Sequence, residues 1–495
     1  LAALREENRS RCRPPLPDEE VKAIAASIGR YPPASAKADK SLLADSLHAT
    51  DMGNAGRFAR QHHEHARYCY LWNRWLTWTG QVWSREDDGR VTALAKETVR
   101  SIYAEAAREQ TDERRQTLAR HAGRSESAHA LRAMLALAQS EPGLPITPDE
   151  LDTHPDLLNC ANGLVDLRTG ERQPHDPGRF LTRLAPVACD PAIATPKWLS
   201  FLERIFLGDA GLIDFIQRAV GYSLTGQVDE RCLFILHGNG KNGKSTFQNI
   251  VSRLVGEYAV RTPVETLLQQ RESAIPNDVA ALMGRRFVYT SESDEGKRLS
   301  EARIKELCGG SEKVTARFMR GEWFEFRPTF KIWLSTNHKP LIRGTDNAIW
   351  DRIRLVPFRY RFGEAEIRPE REVIEPMLAE EGPGILAWAV AGAQRWYREG
   401  LRPPDCVREA TAEYRVEQDI LGGFLQECCV FREGASVRSS HLYEVYSRWC
   451  TENAERPLSQ TAFSRRLGER GLQRERGLQG IHWQVLGLVT RVEFP

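Results

Sequence analysis

The sequence predicts an α/β fold in which a parallel sheet carries a phosphate-binding loop. One observation is an apolar strand, Cys232 to Leu236, that leads through a glycine-rich loop into a helix beginning near Lys244. Another is a pair of further apolar strands that end beside the polar residues Glu292 and Asn337. Because open α/β sheets bind ligands at the carboxyl ends of their strands, these polar residues are expected near the loop.

The composition is typical of a chain with several globular domains. The chain has 495 residues, whereas a single domain usually has about 100 to 200. No stretch approaches the roughly 20 apolar residues that span a bilayer, so no membrane partner is expected. The net charge is only +2, so any contact with nucleic acid requires local basic patches. Ten scattered cysteines without a CxxC pair favour reduced thiols and a cytoplasmic location.

Five segments follow one another along the chain. They are a helical tail with a linker (1–45), an α+β accessory domain (46–195), the phosphate-binding core with two preceding helices (196–365), a helical connector (366–430) and a winged helix-turn-helix (431–495). The accessory domain mixes helical spacing with two hairpins, which turn at Thr79-Gly80 and Thr169-Gly170. The last segment has two helices followed by extended runs around Arg474 and Trp483, an order typical of a winged helix.

The glycine-rich loop fits the pattern G-x-x-x-x-G-K-[ST] and lies between a strand and a helix, as that pattern requires. Glycines let backbone N–H groups surround a phosphate, and the helix N-terminus adds a partial positive charge. Lys244 is expected to reach the β and γ phosphates of ATP, and Ser245 to bind Mg²⁺. The predicted nucleotide-binding residues are Gly238, Asn239, Gly240, Lys241, Asn242, Gly243, Lys244, Ser245 and Thr246.

Two neighbouring strands supply candidate catalytic groups. Glu292 follows the strand Arg286 to Thr290, where a carboxylate would bind the metal or polarise the attacking water. Asn337 ends the strand TFKIWLST and would orient that water. A solvated loop for Glu292 and an ordinary turn residue for Asn337 remain the alternatives. Further on, Arg352 and Arg354 precede or enter another apolar strand, and one of them could act on ATP held by a neighbouring subunit.

A hairpin is predicted between these strands. Residues 314–319 and 322–326 alternate in apolar character about a turn at Arg320-Gly321. Such a hairpin would project Lys313, Arg317 and Arg320 as candidate contacts to DNA phosphates. The alternative is a solvated hairpin without a ligand.

With these residues placed, the sequence resembles the superfamily 3 helicases of phages and plasmids, a group that includes the poxvirus primase-helicases. The motifs similar to those of the family are GNGKNGKST, SESDEG, GGSEKVTARFMRGEWFEF, WLSTNHKP and GTDNAIWDRIRLVPF. The resemblance implies an AAA-like core, a hexameric ring with ATP between subunits, and Arg352 as the arginine finger. It also implies a channel-lining hairpin and a primase-polymerase domain upstream in a full-length protein. SESDEG has one acid where many members carry an adjacent pair, which leaves the second acidic group open.

The resemblance favours an ATP-dependent motor that translocates on single-stranded DNA and unwinds duplex in a bacterial or phage-infected cell. The alternative is an origin-binding initiator in which ATP switches assembly and little duplex is unwound. A packaging ATPase or a small-molecule kinase is weaker, because it leaves the hairpin and the last segment without a use. The arginines that could bind duplex or form a solvated face in that last segment are Arg465, Arg466, Arg470, Arg474 and Arg476.

Overall fold

The structure is a computed structural model that covers most of the chain. It describes residues 17–19, 48–269, 277–291, 296–310, 312–319, 322–342, 347–453, 455, 457–477 and 480–489. Two predicted site residues, Glu292 and Arg320, lie outside the described residues. Nearly all of the predicted tail, 1–45, lies outside them as well.

The chain divides into two compact units. The first takes the residues up to His63 together with Gly89–Leu144, and the second takes Glu64–Asp88 together with everything from Pro145 onward. Residues of the predicted accessory domain, 46–195, are therefore found in both units.

The described part of the first unit is helical. Its helices are α1 (Asp51–His62), α2 (Arg90–Arg108), α3 (Asp112–Ser125) and α4 (Ala128–Ala138). Thr50 caps α1 by accepting a hydrogen bond from the Gly53 amide at 3.1 Å, and Ser127 caps α4 in the same way from Ala130. Such caps satisfy backbone donors that a helix leaves unpaired.

The second unit begins with two small antiparallel sheets. Their strands are β1 (Ala66–Cys69), β2 (Arg74–Trp78), β3 (Trp83–Arg85), β4 (Leu157–Cys160), β5 (Gly163–Asp166) and β6 (Arg172–Gln173). Trp78 pairs with Trp83 across the first predicted turn, and Val165 pairs with Arg172 across the second. Both turns contain a glycine with positive φ, Gly80 and Gly170. The two hairpins predicted from the sequence are confirmed.

The largest sheet of the described residues is parallel and lies in the middle of the second unit. In chain order, this part of the unit contains α5 (Pro196–Ile205), α6 (Ala210–Leu224), β7 (Leu233–His237), α7 (Lys244–Val255), β8 (Ala259–Arg261), α8 (Asn277–Ala280), β9 (Phe287–Ser291), α9 (Glu301–Leu307), β10 (Val314–Arg317), β11 (Trp323–Phe326), β12 (Lys331–Thr336), α10 (Asn347–Trp350) and β13 (Ile353–Pro357). The five strands of the sheet run in the order β13-β7-β12-β9-β8, and every neighbouring pair is parallel. The predicted α/β core with a parallel sheet is confirmed.

Both faces of this sheet are buried, which explains the nearly continuous apolar runs of its strands. Phe234 and Trp333 stack on one face, with ring centroids 4.2 Å apart. Leu233 and Ile332 belong to a second apolar core on the other face. The strands are therefore fixed on both sides, and the loops at their carboxyl ends start from rigid positions.

The rest of the second unit starts with helices and ends with an antiparallel sheet. Its elements are α11 (Glu370–Glu399), α12 (Asp405–Glu417), α13 (Ile420–Cys428), β14 (Cys429–Arg438), α14 (Ser439–Glu452), α15 (Gln460–Glu469), β15 (Arg474–Gly477) and β16 (Gly480–Leu488). The helices predicted for the connector, 366–430, are confirmed, and so are the two helices and two extended runs of the last segment. β14 was not predicted, because 366–430 was expected to be helical and the segment from 431 onward was expected to begin with helices. It pairs with β16 and makes a sheet of order β14-β16-β15.

Two global properties concern membranes and thiols. Among the described residues, no helix combines the length and apolarity needed to cross a membrane. The nine cysteines that the structure describes all have free thiols.

Candidate nucleotide-binding site

Residues 238–243 form the loop between β7 and α7, the P-loop. Gly240 and Gly243 have φ of +81° and +85°, a left-handed conformation that glycine adopts without steric cost. Gly238 is required for another reason, because a Cβ there would collide with Asn242 Nδ2 and the carbonyl oxygen of Phe358. The loop therefore packs tightly on one side while its glycines let the backbone turn into α7.

Lys244, the first residue of α7, is 5% exposed and lies inside the curl of the P-loop. Its Nζ donates to the carbonyl oxygen of Gly238 and to Oδ1 of Asn242, both at 2.8 Å. It also donates to Oδ1 of Asn337 at 3.0 Å. The structure thus brings together Lys244, the first residue of α7, and Asn337, which follows β12, and both were predicted as site residues.

Asn242 has a role that the motif alone did not indicate. Its amide is 3% exposed, and its Nδ2 donates to the Phe358 carbonyl oxygen at 3.4 Å while its Oδ1 accepts from Lys244. The side chain therefore ties the ammonium group to the segment after β13. Asn242 occupies a variable position of the pattern, so nothing in the spacing predicted this use of its side chain.

The residues present fit a nucleoside triphosphate. Lys244 supplies a cation, and the N-terminus of α7 supplies backbone N–H groups and a partial positive charge. Ser245 is exposed on the first turn of α7, and its hydroxyl could bind a phosphate-bound Mg²⁺. Buried oxygen acceptors hold Lys244 where an anion would meet it.

His237 ends β7 and adjoins the P-loop. Burial, followed by the positive charges of Lys339 and Lys244, lowers the pKa of His237 from its usual value. The imidazole is therefore neutral at neutral pH.

The predicted carboxylate Glu292 adjoins the end of β9. Ser291, the last residue of β9, pairs with Ser335 of β12, two residues before Asn337. The end of β9 therefore lies on the far side of β12 from β7. Since Glu292 itself is outside the described residues, its role stays a prediction.

Arg352 is not brought to the P-loop of its own chain. Its carbonyl oxygen accepts from the amide of Leu233, the first residue of β7, at 2.7 Å. At about 3.3 Å per residue, β7 separates that end of the sheet from the P-loop by roughly 16 Å. The guanidinium donates to the Ala348 carbonyl oxygen at 2.6 Å, whereas Arg354 donates to the carbonyl oxygens of Asp351 and Ile353.

The hairpin of β10 and β11 is confirmed, with Arg317 paired to Trp323. The guanidinium of Arg317 lies over the ring of Trp323, 5.0 Å from its centroid. Lys313 Nζ is 3.5 Å from a carboxylate oxygen of Glu325. Trp323 is 56% exposed and Phe318 is 44% exposed, although aromatic rings are normally buried. Sequence reasoning singled out the cations and missed these aromatic residues, whose exposure depends on the pairing register.

Some arginines of the last segment form ion pairs, and others are exposed. Arg465 lies 3.6 Å from Glu469 on α15, and Arg470 pairs with Asp419. Burial lowers the pKa of Arg466. Arg474 and Arg476 are exposed on β15.

Comparison with known families gives matches along most of the chain. Residues 55–207 match the family described as D5 N terminal like, 236–352 match a family of unknown function, and 417–473 match the family described as Poxvirus D5 protein-like. The chain therefore carries D5-type segments before and after its P-loop core, and the resemblance to the group that includes the poxvirus primase-helicases is confirmed.

Similar proteins come from several viruses. A protein of Acanthamoeba polyphaga mimivirus named "Putative helicase" is 26% identical over 61% of this chain and 34% of its own length. One of Frog virus 3 with the same name is 25% identical over 52% of this chain and 28% of its own. A "Putative primase" of African swine fever virus is 24% identical over 61% and 34%. The chain spans about a third of the length of the curated relatives that it matches.

One solved structure that aligns with most of this chain is the apo C-terminal region of NrS-1. It is 10% identical in sequence, covers 85% of this chain and 96% of its own, and has a TM-score of 0.45.

Proposed function

We propose that this chain, which carries D5-type segments and is similar to viral proteins named as helicases and primases, is the ATP-driven motor of a replicative DNA helicase. The observation that carries the proposal is the contact between Lys244, in the P-loop, and Asn337, at the end of the adjacent strand. It joins a phosphate-binding cation to a polar amide at the carboxyl edge of a parallel sheet. The order β13-β7-β12-β9-β8 supports an AAA-like core of superfamily 3 type.

Each residue of the site has a role in this proposal. Bound ATP would supply the phosphoanhydride bond that is hydrolysed, and Mg²⁺ would neutralise the negative charge of its phosphates. Lys244 and the backbone N–H groups of the P-loop hold the β and γ phosphates, and Ser245 binds the metal. Asn337 orients the attacking water and Glu292 polarises it. Arg352 acts from a neighbouring subunit, which its distance from the P-loop of its own chain supports.

The DNA contacts are assigned to two regions. The hairpin of β10 and β11 binds single-stranded DNA through Lys313, Arg317 and Arg320. Its exposed aromatic rings support this, because bases stack on such rings in proteins that bind single strands without sequence preference. The last segment, in which β14, β15 and β16 pack with α14 and α15, is proposed as a winged helix that binds duplex.

The assembly follows from the same proposal. A ring of identical subunits, most simply a hexamer, would place Arg352 of one subunit at the ATP of the next. A primase-polymerase domain would precede this chain in the full-length protein, which would act in the cytoplasm of a bacterial or phage-infected cell.

The test is a strand-displacement assay with a forked DNA substrate, run with ATP and Mg²⁺ beside an ATPase assay with and without single-stranded DNA. A helicase motor separates the duplex, and single-stranded DNA stimulates its ATPase. ATP-dependent assembly on DNA without strand separation would favour the origin-binding initiator instead. Absence of both ATPase activity and ATP binding would overturn the proposal.

A further inference from the structure

Two arginines from distant parts of the chain come together at the amino-terminal edge of the parallel sheet. Arg285 lies two residues before Phe287, the first residue of β9. Arg183 lies between β6 and α5, and its guanidinium contacts Gly284, where an added Cβ would be 3.6 Å from Nη2 and 3.7 Å from Nε. The P-loop lies at the opposite edge of the sheet, because it follows the carboxyl end of β7. Arg183 and Arg285, the arginine pair, are therefore separate from the candidate nucleotide-binding site.

The turn that follows α7 holds the arginine pair in place. Oε2 of Glu257 accepts at 2.8 Å from the amide of Leu184, the residue after Arg183. The carbonyl oxygen of Glu257 accepts from the guanidinium of Arg285. Tyr258 is 2% exposed, and its hydroxyl donates to the carbonyl oxygen of Arg183 at 3.3 Å. Both arginines are thus tied to the same turn, and the segment that carries one stays beside the strand that follows the other.

The two positive charges of the arginine pair repel each other. Both guanidinium groups stay charged, because arginine does not lose its proton in proteins. Burial, followed by the positive charge of Arg183, lowers the pKa of Arg285, and the charge of Glu257 counters this in part. Glu257 is exposed, and one of its carboxylate oxygens already accepts from a backbone amide. Holding the two cations together therefore costs free energy that a bound anion would offset.

Each arginine of the pair also has a buried donor that needs an acceptor. Among the described residues, Nε of Arg183 and Nε of Arg285 are buried without a hydrogen-bond partner. Burying an N–H group in this way is unfavourable, so native proteins usually satisfy it with a protein group, a water molecule or an ion. Two such donors in one positively charged cluster indicate a ligand that is both an anion and a hydrogen-bond acceptor.

The chemistry of the arginine pair suits a phosphate group. A guanidinium presents its N–H donors in a planar fork that matches two oxygen atoms of a phosphate. A phosphate has more oxygen atoms than a carboxylate, so it can accept from two such forks at once. Its negative charge also offsets the repulsion between the two cations.

From this geometry we propose that the arginine pair binds a phosphate group, which accepts hydrogen bonds from both guanidinium groups. The phosphate comes either from the backbone of a nucleic acid or from free inorganic phosphate, since both present the same oxygen atoms. Only the nucleic-acid source rests on the proposed function, because it requires that the chain bind DNA. That source would give the chain a DNA contact apart from the hairpin of β10 and β11.

The test uses phenylglyoxal, which modifies arginine side chains, on the whole chain. The modification rate of each arginine is followed by mass spectrometry of its peptide. Three solutions of equal ionic strength are compared, which contain inorganic phosphate, a single-stranded oligonucleotide or chloride alone. A saturating phosphate ligand should slow modification of Arg183 and Arg285 by about fivefold or more relative to chloride. Arg172, an exposed arginine of β6, is the internal control and should react at similar rates in phosphate and in chloride.

A matched pair of variants tests whether the two arginines act together. Arg183→Gln removes one charge of the arginine pair, and Arg285 should then lose most of its protection. Arg172→Gln removes the same charge from β6 and should leave the protection of Arg285 unchanged.

The same variants test the nucleic-acid source by fluorescence anisotropy with single-stranded DNA at several salt concentrations. If the backbone is the source, Arg183→Gln should lower the slope of log affinity against log salt by about 0.7, the value for one phosphate contact. Arg172→Gln should keep the slope of the unmodified chain.

Protection of the arginine pair by the oligonucleotide, with a lower salt slope in Arg183→Gln, would assign the site to a nucleic-acid backbone. Protection by inorganic phosphate alone would assign it to free phosphate. If neither ligand slows modification of Arg183 or Arg285, the phosphate site is overturned, whereas the P-loop assignment stands. If the unmodified chain binds neither DNA nor ATP, the proposed function fails, and protection by inorganic phosphate still decides whether the arginine pair is a phosphate site.

Discussion

Lys244 has three N–H donors on its ammonium group, and it donates to oxygen atoms of Gly238, Asn242 and Asn337. The group is therefore held at the site before a ligand arrives, which lowers the entropy cost of binding one. Lys244→Ala should reduce ATP hydrolysis to background, measured by phosphate release.

The control for that variant is Lys197→Ala. Lys197 lies on the first turn of α5, where it is about half exposed and pairs with Glu380. Its loss should leave hydrolysis within about twofold, because an exposed ion pair contributes only about 0–1 kcal/mol. Turnover of Lys244→Ala close to that of the control would contradict the P-loop assignment.

At the scale of single residues, the sequence predicted site residues that belong to a motif or end a strand. It did not predict a side-chain contact that depends on how distant segments pack. Lys244 was predictable because the pattern needs a lysine there, and Asn337 because it ends a strand of the same sheet. The amide of Asn242 was not, since its contact with Phe358 depends on how the segment after β13 returns over the loop.

The hairpin of β10 and β11 has exposed cationic and aromatic side chains. We expect the salt dependence of DNA binding to change when the cationic side chains are replaced and to stay the same when an aromatic side chain is replaced. Arg317→Ala combined with Lys313→Ala should weaken single-strand binding. It should also lower the slope of log affinity against log salt by about 0.7 for each DNA phosphate that the protein no longer neutralises. Binding is measured by fluorescence anisotropy at several salt concentrations. Basal ATPase activity should survive, because neither residue touches the P-loop.

Trp323→Ala should weaken the same binding by about 1–3 kcal/mol, the usual contribution of one stacked base, while leaving the salt slope unchanged. Trp323→Phe keeps a ring and should restore most of the affinity. The hairpin would be a solvated hairpin without a DNA contact if two results were obtained together. The variant that combines Lys313→Ala with Arg317→Ala would keep the salt slope of the unmodified chain, and Trp323→Ala would keep full affinity.

The helical unit contains a buried polar network that makes its stability depend on pH. Nε2 of His121 lies 2.9 Å from Oδ1 of Asn54, whose Nδ2 donates to Ser125 at 2.9 Å. Burial, followed by the charges of Arg57 and Arg124, lowers the pKa of His121. The folded unit therefore binds a proton less readily than the unfolded chain does, so acidification below about pH 6.5 should favour unfolding.

Hydrogen exchange of α2, α3 and α4, corrected for the intrinsic pH dependence, measures this effect. Protection should be complete above about pH 6.5, the usual pKa of a histidine, and should fall as the pH is lowered below it. In His121→Gln that fall should be smaller. His129→Gln changes an exposed histidine of α4 and should keep the dependence of the unmodified chain. Equal pH dependence in all three proteins would show that another group is responsible.

Elements were predicted well where their own periodicity was strong. The parallel strands, α7 and the two accessory hairpins were visible as apolar runs, alternation and glycine turns. β14 was missed because its pattern is mostly exposed, with Cys429 and Val437 as its buried residues, so no alternation marks it as a strand. Its existence depends on pairing with β16, which lies some 50 residues later in the chain.

At the scale of the whole molecule, the position of Arg352 bears on assembly. It adjoins the start of β7, whereas the P-loop follows the end of β7, and the two are joined by a rigid strand that is buried on both faces. A side chain cannot span that distance, and a rearrangement within one chain would have to break the sheet. Arg352 can therefore serve as an arginine finger only for the ATP of another subunit.

Arg352→Ala alone should be nearly inactive, because a finger that stabilises charge on the γ phosphate is worth about 10³ to 10⁵ in rate. Mixing it with Lys244→Ala subunits should restore part of the ATPase activity, since some interfaces then join an intact P-loop to an intact finger. Arg354→Ala is the matched control, and it should mainly lower stability, because the Arg354 guanidinium donates to the nearby carbonyl oxygens of Asp351 and Ile353. If the two variants co-assemble, as judged by light scattering, and no activity returns, either Arg354 is the finger or each subunit completes catalysis alone.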